Sequence, residues 1–154
     1  MNIFVLSRSP TRAAEMACDQ HVVKMPLETA QMLSTVLRQL DVEVGYKISH
    51  TKHPCTLWAG RTRANFSWLV EHGLALCFEY TWRYHKVHDA KEVSVACAAL
   101  AFKVPEGALT PFAQAMPEVY RQGDAVKAYR AYYVGEKMKF ARWTRRGAPT
   151  WVAG

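Results

Sequence analysis

The chain reads as a mainly α, compact single-domain helical fold with a short extended N-terminal arm. Helix-start signals recur along it, at Ser9-Pro10, His53-Pro54, Thr62, Asp89 and Asp124, each followed by apolar residues at helical spacing. Its 154 residues, half of them hydrophobic, are enough to bury one substantial core. No low-complexity run, internal repeat or domain boundary is visible, so residues 1–154 are expected to form one domain.

In order, Asn2 to Leu6 suit a short strand or an extended arm laid on the core. Ser9 reads as an N-cap with Pro10 at the first helical position, opening a helix through Ala13, Ala14, Met16 and Ala17. Pro26 removes a backbone donor and crowds the preceding turn, so a kink or restart is expected there, with a second half from Pro26 to Leu40. Asp41 to Lys52 is a loop. His53-Pro54 begins a helical region through Leu57, Trp58 and Arg61, and Thr62 caps a long helix from Phe66 to Tyr84. Asp89 is expected to cap a segment from Val93 to Phe102. Pro105 to Pro117 is irregular, and Asp124 caps a final helix to about Arg142, before a Pro149-Thr150-Trp151 tail.

No stretch approaches the roughly 18 uninterrupted apolar residues of a membrane span. The start lacks the basic region of a signal peptide, so a cytoplasmic address is expected. Cys18, Cys55, Cys77 and Cys97 are scattered without a CxxC pair, which favours free buried thiols over a disulfide framework.

The net charge is +7, and the excess gathers near the C-terminus. Arg121, Lys127, Arg130, Lys137, Lys139, Arg142, Arg145 and Arg146 stand there against Asp124 and Glu136, interleaved with Tyr129, Tyr132, Tyr133, Phe140 and Trp143. Basic charge binds phosphates by counterion release and aromatic faces stack on exposed bases, so nucleic acid is the expected partner. Lys47, Lys52, Arg61 and Arg63 suit phosphate contact as well.

One helix carries an unusual polar stripe. His21, Lys24, Glu28, Gln31 and Thr35 are spaced to share one face, while Val22, Val23, Leu27, Leu33, Val36, Leu37 and Leu40 are expected to cover the rest. A carboxylate beside an amine and an imidazole can shuttle protons or stabilise a cation developing at a sugar C1′. A solvent face, or a structural hydrogen-bond network near the kink, accounts for the same spacing. The His50-Thr51-Lys52-His53-Pro54-Cys55 run, with Asp19, is a weaker candidate for a zinc site, because its spacing matches no strong metal signature. There is no phosphate-binding Gly-rich loop and no GxSxG.

The Cys18-Asp19-Gln20-His21 run, with Glu28 seven positions past the histidine, resembles the first helix of the phage pyrimidine-dimer DNA glycosylases, the small repair enzymes also called phage endonuclease V. The likeness continues in register. Ile3 to Leu6 matches a hydrophobic arm, Tyr46-Lys47-Ile48-Ser49 an aromatic-Lys-Ile-Ser segment, and Tyr129 to Lys137 an aromatic-rich basic tail. The chain also resembles a widespread set of uncharacterised small phage proteins through Asp19-x-His21-Val22-Val23-Lys24-Met25, Glu28 to Gln31, His53-Pro54-Cys55 and Gln114 to Pro117.

The resemblance implies a compact α fold acting on damaged duplex DNA, without a metal or other cofactor, as a monomer in an infected or lysogenic bacterial cell. It implies an N-terminal amine, here that of Met1, attacking C1′ to give a Schiff base, with Glu28 assisting glycosyl cleavage and β-elimination. His21 and Asp19 become supports of that site, and Lys24 an alternative amine. The arginines that flank the family's glutamate are replaced by Leu27 and Gln31. A DNA glycosylase with AP-lyase activity is therefore expected, ahead of a nucleic-acid-binding protein without the chemistry. A metal-dependent nuclease or base-modifying enzyme using His50, His53, Cys55 and Asp19 comes third.

Overall fold

The computed structural model describes residues 1–153 and contains six α-helices and no strand among them. They are α1 (Pro10–Met16), α2 (Asp19–Arg38), α3 (Pro54–Arg61), α4 (Arg63–Tyr84), α5 (Lys91–Ala98) and α6 (Ala125–Tyr132). The long helices α2 and α4 pack on each other and form the centre, with α1 against α4, and α3 and α5 against both. Val22, Met25, Met32, Leu33, Val36 and Leu37 of α2 meet Phe66, Leu69, Val70 and Leu76 of α4 in one core, which Trp58 of α3 completes. A Cβ on Gly73 would stand 2.7 Å from Thr29 Cγ2, so the two central helices approach at a distance that only glycine allows. Among the described residues no helix is long and apolar enough to cross a membrane.

The sequence signals for helix starts mostly hold. Ser9, His53, Thr62 and Asp124 each accept a backbone N–H of the first turn, which satisfies donors a helix leaves free. Asp89 does not cap: α5 opens after Ala90 without a side-chain cap and ends at Ala98. All four cysteines are free and buried.

Three other expectations are corrected. The break falls at Ala17-Cys18 rather than at Pro26, and α2 continues through the proline. The proline disturbs only its own turn, where His88 Nε2 donates to Val23 O at 2.9 Å. Val23, Leu27 and Leu40, placed on the apolar side, are exposed. The last helix stops at Tyr132 and continues as a wider π-turn over Tyr133–Lys137, short of Arg142.

The N-terminal arm is extended, not a strand, and it is buried from Asn2 to Leu6. Phe4 takes a left-handed backbone with φ of 34°, and Leu6 N–H closes a tight turn on Phe4 O at 2.8 Å. A bulky residue rarely adopts that region, so the fold holds local strain in the segment that aims the chain terminus.

Candidate active site

An open cleft of about 450 Å³ lies where the arm, α2, the start of α3 and the C-terminal segment meet. Each element contributes for a local reason. Asn2 is buried, its Oδ1 accepts Ile3 N–H at 2.8 Å, and its Nδ2 donates to Ala115 O at 2.7 Å. These bonds turn the arm and bring the Met1 amine to 3.0 Å from Glu28 Oε1. Helix α2 presents His21, Lys24 and Glu28 along the cleft, at the three- and four-residue steps that align side chains. Arg121, Tyr132 and Lys137 close the other side.

Electrostatically the cleft is lopsided. Glu28 is the one carboxylate among its lining residues, facing the terminal amine, Lys24, Arg121 and Lys137. Lys137 Nζ rests 4.6 Å from the Tyr132 ring and 5.9 Å from Phe4. That cation surplus is what an anionic ligand would neutralise.

His21 is buried and lies flat on Phe4, ring centroids 4.0 Å apart, with Nδ1 hydrogen-bonded to the Tyr133 hydroxyl. Burial, and then Lys137 and Lys24, push its imidazole down to about 3, so it is neutral at pH 7. His53 is fixed differently. Its Nδ1 accepts Cys55 N–H at 3.1 Å, which leaves the ring proton on Nε2, and the ring lines the cleft together with Met1. Burial and the nearby terminal amine and His50 hold His53 below the ordinary histidine range, although Glu28 and the Met1 carbonyl act the other way. The arm is thus held at the amine by Glu28 and at Asn2 by Ala115.

Asp19 does not line the cleft. Its carboxylate takes Arg83 Nη1 at 3.0 Å and Thr144 N–H and Oγ1–H at 2.9 and 2.7 Å. Burial raises its pKa, but the bonds from Thr144 and Arg83 outweigh it and hold the carboxyl below its ordinary value. The stripe therefore divides. Its middle faces the cleft, whereas Thr35 is buried and exchanges hydrogen bonds of 3.1 Å with the backbone of Ser49, tying down the following loop.

The predicted nucleic-acid residues also separate. Tyr132 and Lys137 are in the cleft, and Lys47, Lys52, Arg61, Arg142 and Arg145 are exposed. Four others are engaged internally. Arg63 donates to Val104 O and Phe102 O, and Arg130 to Leu6 O behind the arm. Tyr133 is fully buried, and Arg146 pairs with the buried Glu79. The proposed zinc set does not converge: Asp19 is held by Arg83 and Thr144, and burial pushes the Cys55 thiol up to about 12. No group of three or more His, Cys, Asp or Glu side chains among the described residues is arranged to hold a metal ion.

The family model for pyrimidine dimer DNA glycosylases matches residues 1–93, which include the arm, α2 with Glu28, and His53. The chain belongs to the pyrimidine dimer DNA glycosylase family. No curated protein and no solved structure matches it. Residues 94–154 lie outside the family match, yet they supply Ala115, Arg121, Tyr132 and Lys137 to the cleft.

Sequence reasoning missed Asn2, Phe4 and Arg121 as cleft residues. Asn2 had a local signal, because a short side-chain amide beside an extended arm can bond the backbone one and two residues on. Arg121 had none, since an irregular segment whose path the sequence does not fix carries it there. The buried Glu79–Arg83 pair was also missed, although opposite charges four apart in an apolar run signal it.

Proposed function

We propose that this member of the family is a DNA glycosylase with AP-lyase activity, using the Met1 amine as nucleophile and Glu28 as its acid–base partner. The supporting observation is the 3.0 Å contact between that amine and Glu28 inside an open, cation-lined cleft. Attack needs a neutral amine, and α-amines as a class titrate about 2–3 units below lysine ammonium groups. That favours Met1 over Lys24, which sits exposed at the rim. The amine forms a bond to C1′ while the bond to the base breaks, the base leaving with its electron pair and a proton. The nitrogen, having lost a proton, then opens the sugar ring: the C1′–O4′ bond breaks, O4′ takes a proton and a protonated imine forms. Loss of a C2′ proton from it breaks the C3′–O3′ bond and expels the 3′ phosphate. Glu28 is the carboxylate placed to accept the amine proton and to take the C2′ proton. His53, which lines the cleft with Met1, is the proposed positioning residue.

Duplex DNA containing a pyrimidine dimer or abasic site is the substrate class this reading assigns, bound by a monomer in the cytoplasm of a phage-infected or lysogenic cell. A second reading keeps the binding and drops the chemistry. It is favoured by Leu27, which is exposed on α2 beside Glu28 and brings no cation to a phosphate. Borohydride trapping on abasic-site and ultraviolet-irradiated duplexes separates the two. The first reading expects a covalent adduct with wild type and none with Glu28→Gln; binding without any adduct supports the second.

A further inference from the structure

We propose that the C-terminal segment around Arg145 is a second DNA-backbone surface, engaging duplex on one side of the reacting nucleotide. It rests on the DNA-acting reading above, but on different residues. The segment is anchored, not loose. Arg142 O accepts Asp19 N–H at 2.8 Å, Thr144 donates twice to the Asp19 carboxylate, and Trp143 Nε1 donates to Met16 O at 2.8 Å. Beyond these bonds, Arg146 turns inward to the buried Glu79, while Arg145 turns outward.

Arg145 is shaped for phosphate. Its backbone is left-handed at φ 59°, which sets it apart from Arg146, and its guanidinium lies 4.6 Å from the exposed Trp82 ring. Nη1 is 2.6 Å from His85 Nε2, a bond only a neutral imidazole can accept. No carboxylate pairs with it among the described residues. A guanidinium already held over an indole and bonded to His85 has less freedom to lose on binding, and its remaining donors are free for phosphate oxygens. Lys86 and Arg142 add exposed positive charge in adjoining stretches of chain.

The proposed duplex runs along α2, and that path sets the footprint. Thr144 is bonded to Asp19 at the start of α2, and from Asp19 to Glu28 the helix rises about 13 Å, close to four base-pair steps of B-DNA. A duplex with its reacting nucleotide at Glu28 therefore reaches the Arg145 surface only if it extends about four base pairs or more on one side. Arg142 and Arg145 lie outside the family match, whereas Lys86, and the Trp82 and His85 on which Arg145 rests, lie inside it.

The test is equilibrium binding across a salt series to a duplex with a central tetrahydrofuran abasic analogue, which has no base to lose. The full duplex carries a helical turn on each side, and two shorter ones are cut to about two base pairs on one side or the other, less than the four-step separation. The variant is Arg145→Asn, since asparagine tolerates the left-handed backbone. On the full duplex we expect several-fold weaker binding and a log–log salt slope smaller by about 0.9, one phosphate contact. One truncation should bring wild type down to the variant and abolish the difference, while the other leaves it intact. Trp82→Leu, which keeps the charge but removes its platform, should give a smaller loss on the same duplexes. Equal slopes for wild type and Arg145→Asn on the full duplex, or a difference that survives both truncations, would overturn the proposal. Undamaged duplex is measured in parallel. If the abasic analogue brings no gain over it, the glycosylase reading suffers, and the slope difference on undamaged duplex still decides whether this surface binds DNA.

Discussion

Helix α2 carries two carboxylate–cation contacts of the same length in opposite surroundings. At its start Asp19 meets Arg83 at 3.0 Å, and Arg83 meets Glu79 at 2.9 Å, with Arg83 and Glu79 almost entirely excluded from solvent. Nine residues on, Glu28 meets the Met1 amine at 3.0 Å beside an open cleft, with three further lining cations and no other lining carboxylate. The first group is closed: Thr144 and Arg146 complete the hydrogen bonding of its carboxylates. The second is open and short of negative charge. Distance alone does not separate a structural ion pair from a reactive one; saturation does.

That comparison can be broken at several points. The largest effect is expected from Glu28→Gln, which should lower single-turnover strand cleavage by about 10²–10⁴-fold while leaving the urea midpoint near wild type. A large stability loss instead would make Glu28 part of the scaffold, like Glu79. Next is Glu79→Ala, which leaves Arg83 buried and short of a partner and should destabilise the fold by about 3–5 kcal/mol in urea titrations. A change near zero would mean that the cluster is not structural.

Acid should act through the buried histidines. His21 and His72 are held down to about 3 and about 4 by burial, so they take up protons more readily in the unfolded chain. Their contribution is complete above the unfolded value near 6.5 and is lost as pH falls from there toward 4 and 3. Between pH 7.5 and pH 5 each should remove about 2 kcal/mol, and His72→Gln should flatten part of the loss. Asp19, whose carboxyl is depressed, adds a further loss only as pH falls below the ordinary aspartate value of 3.8. A urea midpoint constant from pH 7.5 to 5 would contradict the burial of both rings.

The smallest effect is expected at His53. His53→Ala should slow trapping at saturating DNA about tenfold, a loss of about 1.4 kcal/mol, and His53→Gln, which keeps a polar group in the cleft beside Met1, should restore most of it. Equal rates for Ala and Gln would argue against the positioning role.

Much of this fold was legible because its signals are local. Ser9, His53, Thr62 and Asp124 cap where their residue types and following periodicity say they should. Pro26 misled because a helix already packed on both sides tolerates one missing bond, whereas the break at Ala17-Cys18 follows from tertiary contacts, including Asp19 N–H to Arg142 O. In the stripe, helical spacing put His21, Lys24 and Glu28 together correctly, and the cleft contains all three. Spacing could not show that Asp19 belongs to a separate charged cluster, nor that Arg130 and Tyr133 hold the arm and core. Those facts depend on contacts between residues 64 to 124 apart in the chain.

The proposed attacking group is the Met1 amine, beside Glu28. Peptide mapping by mass spectrometry of the borohydride-reduced adduct formed with abasic-site DNA tests it. The reduced sugar is expected on the N-terminal nitrogen of Met1. An adduct on Lys24 or Lys137, or an unmodified terminus with cleavage intact, would contradict it.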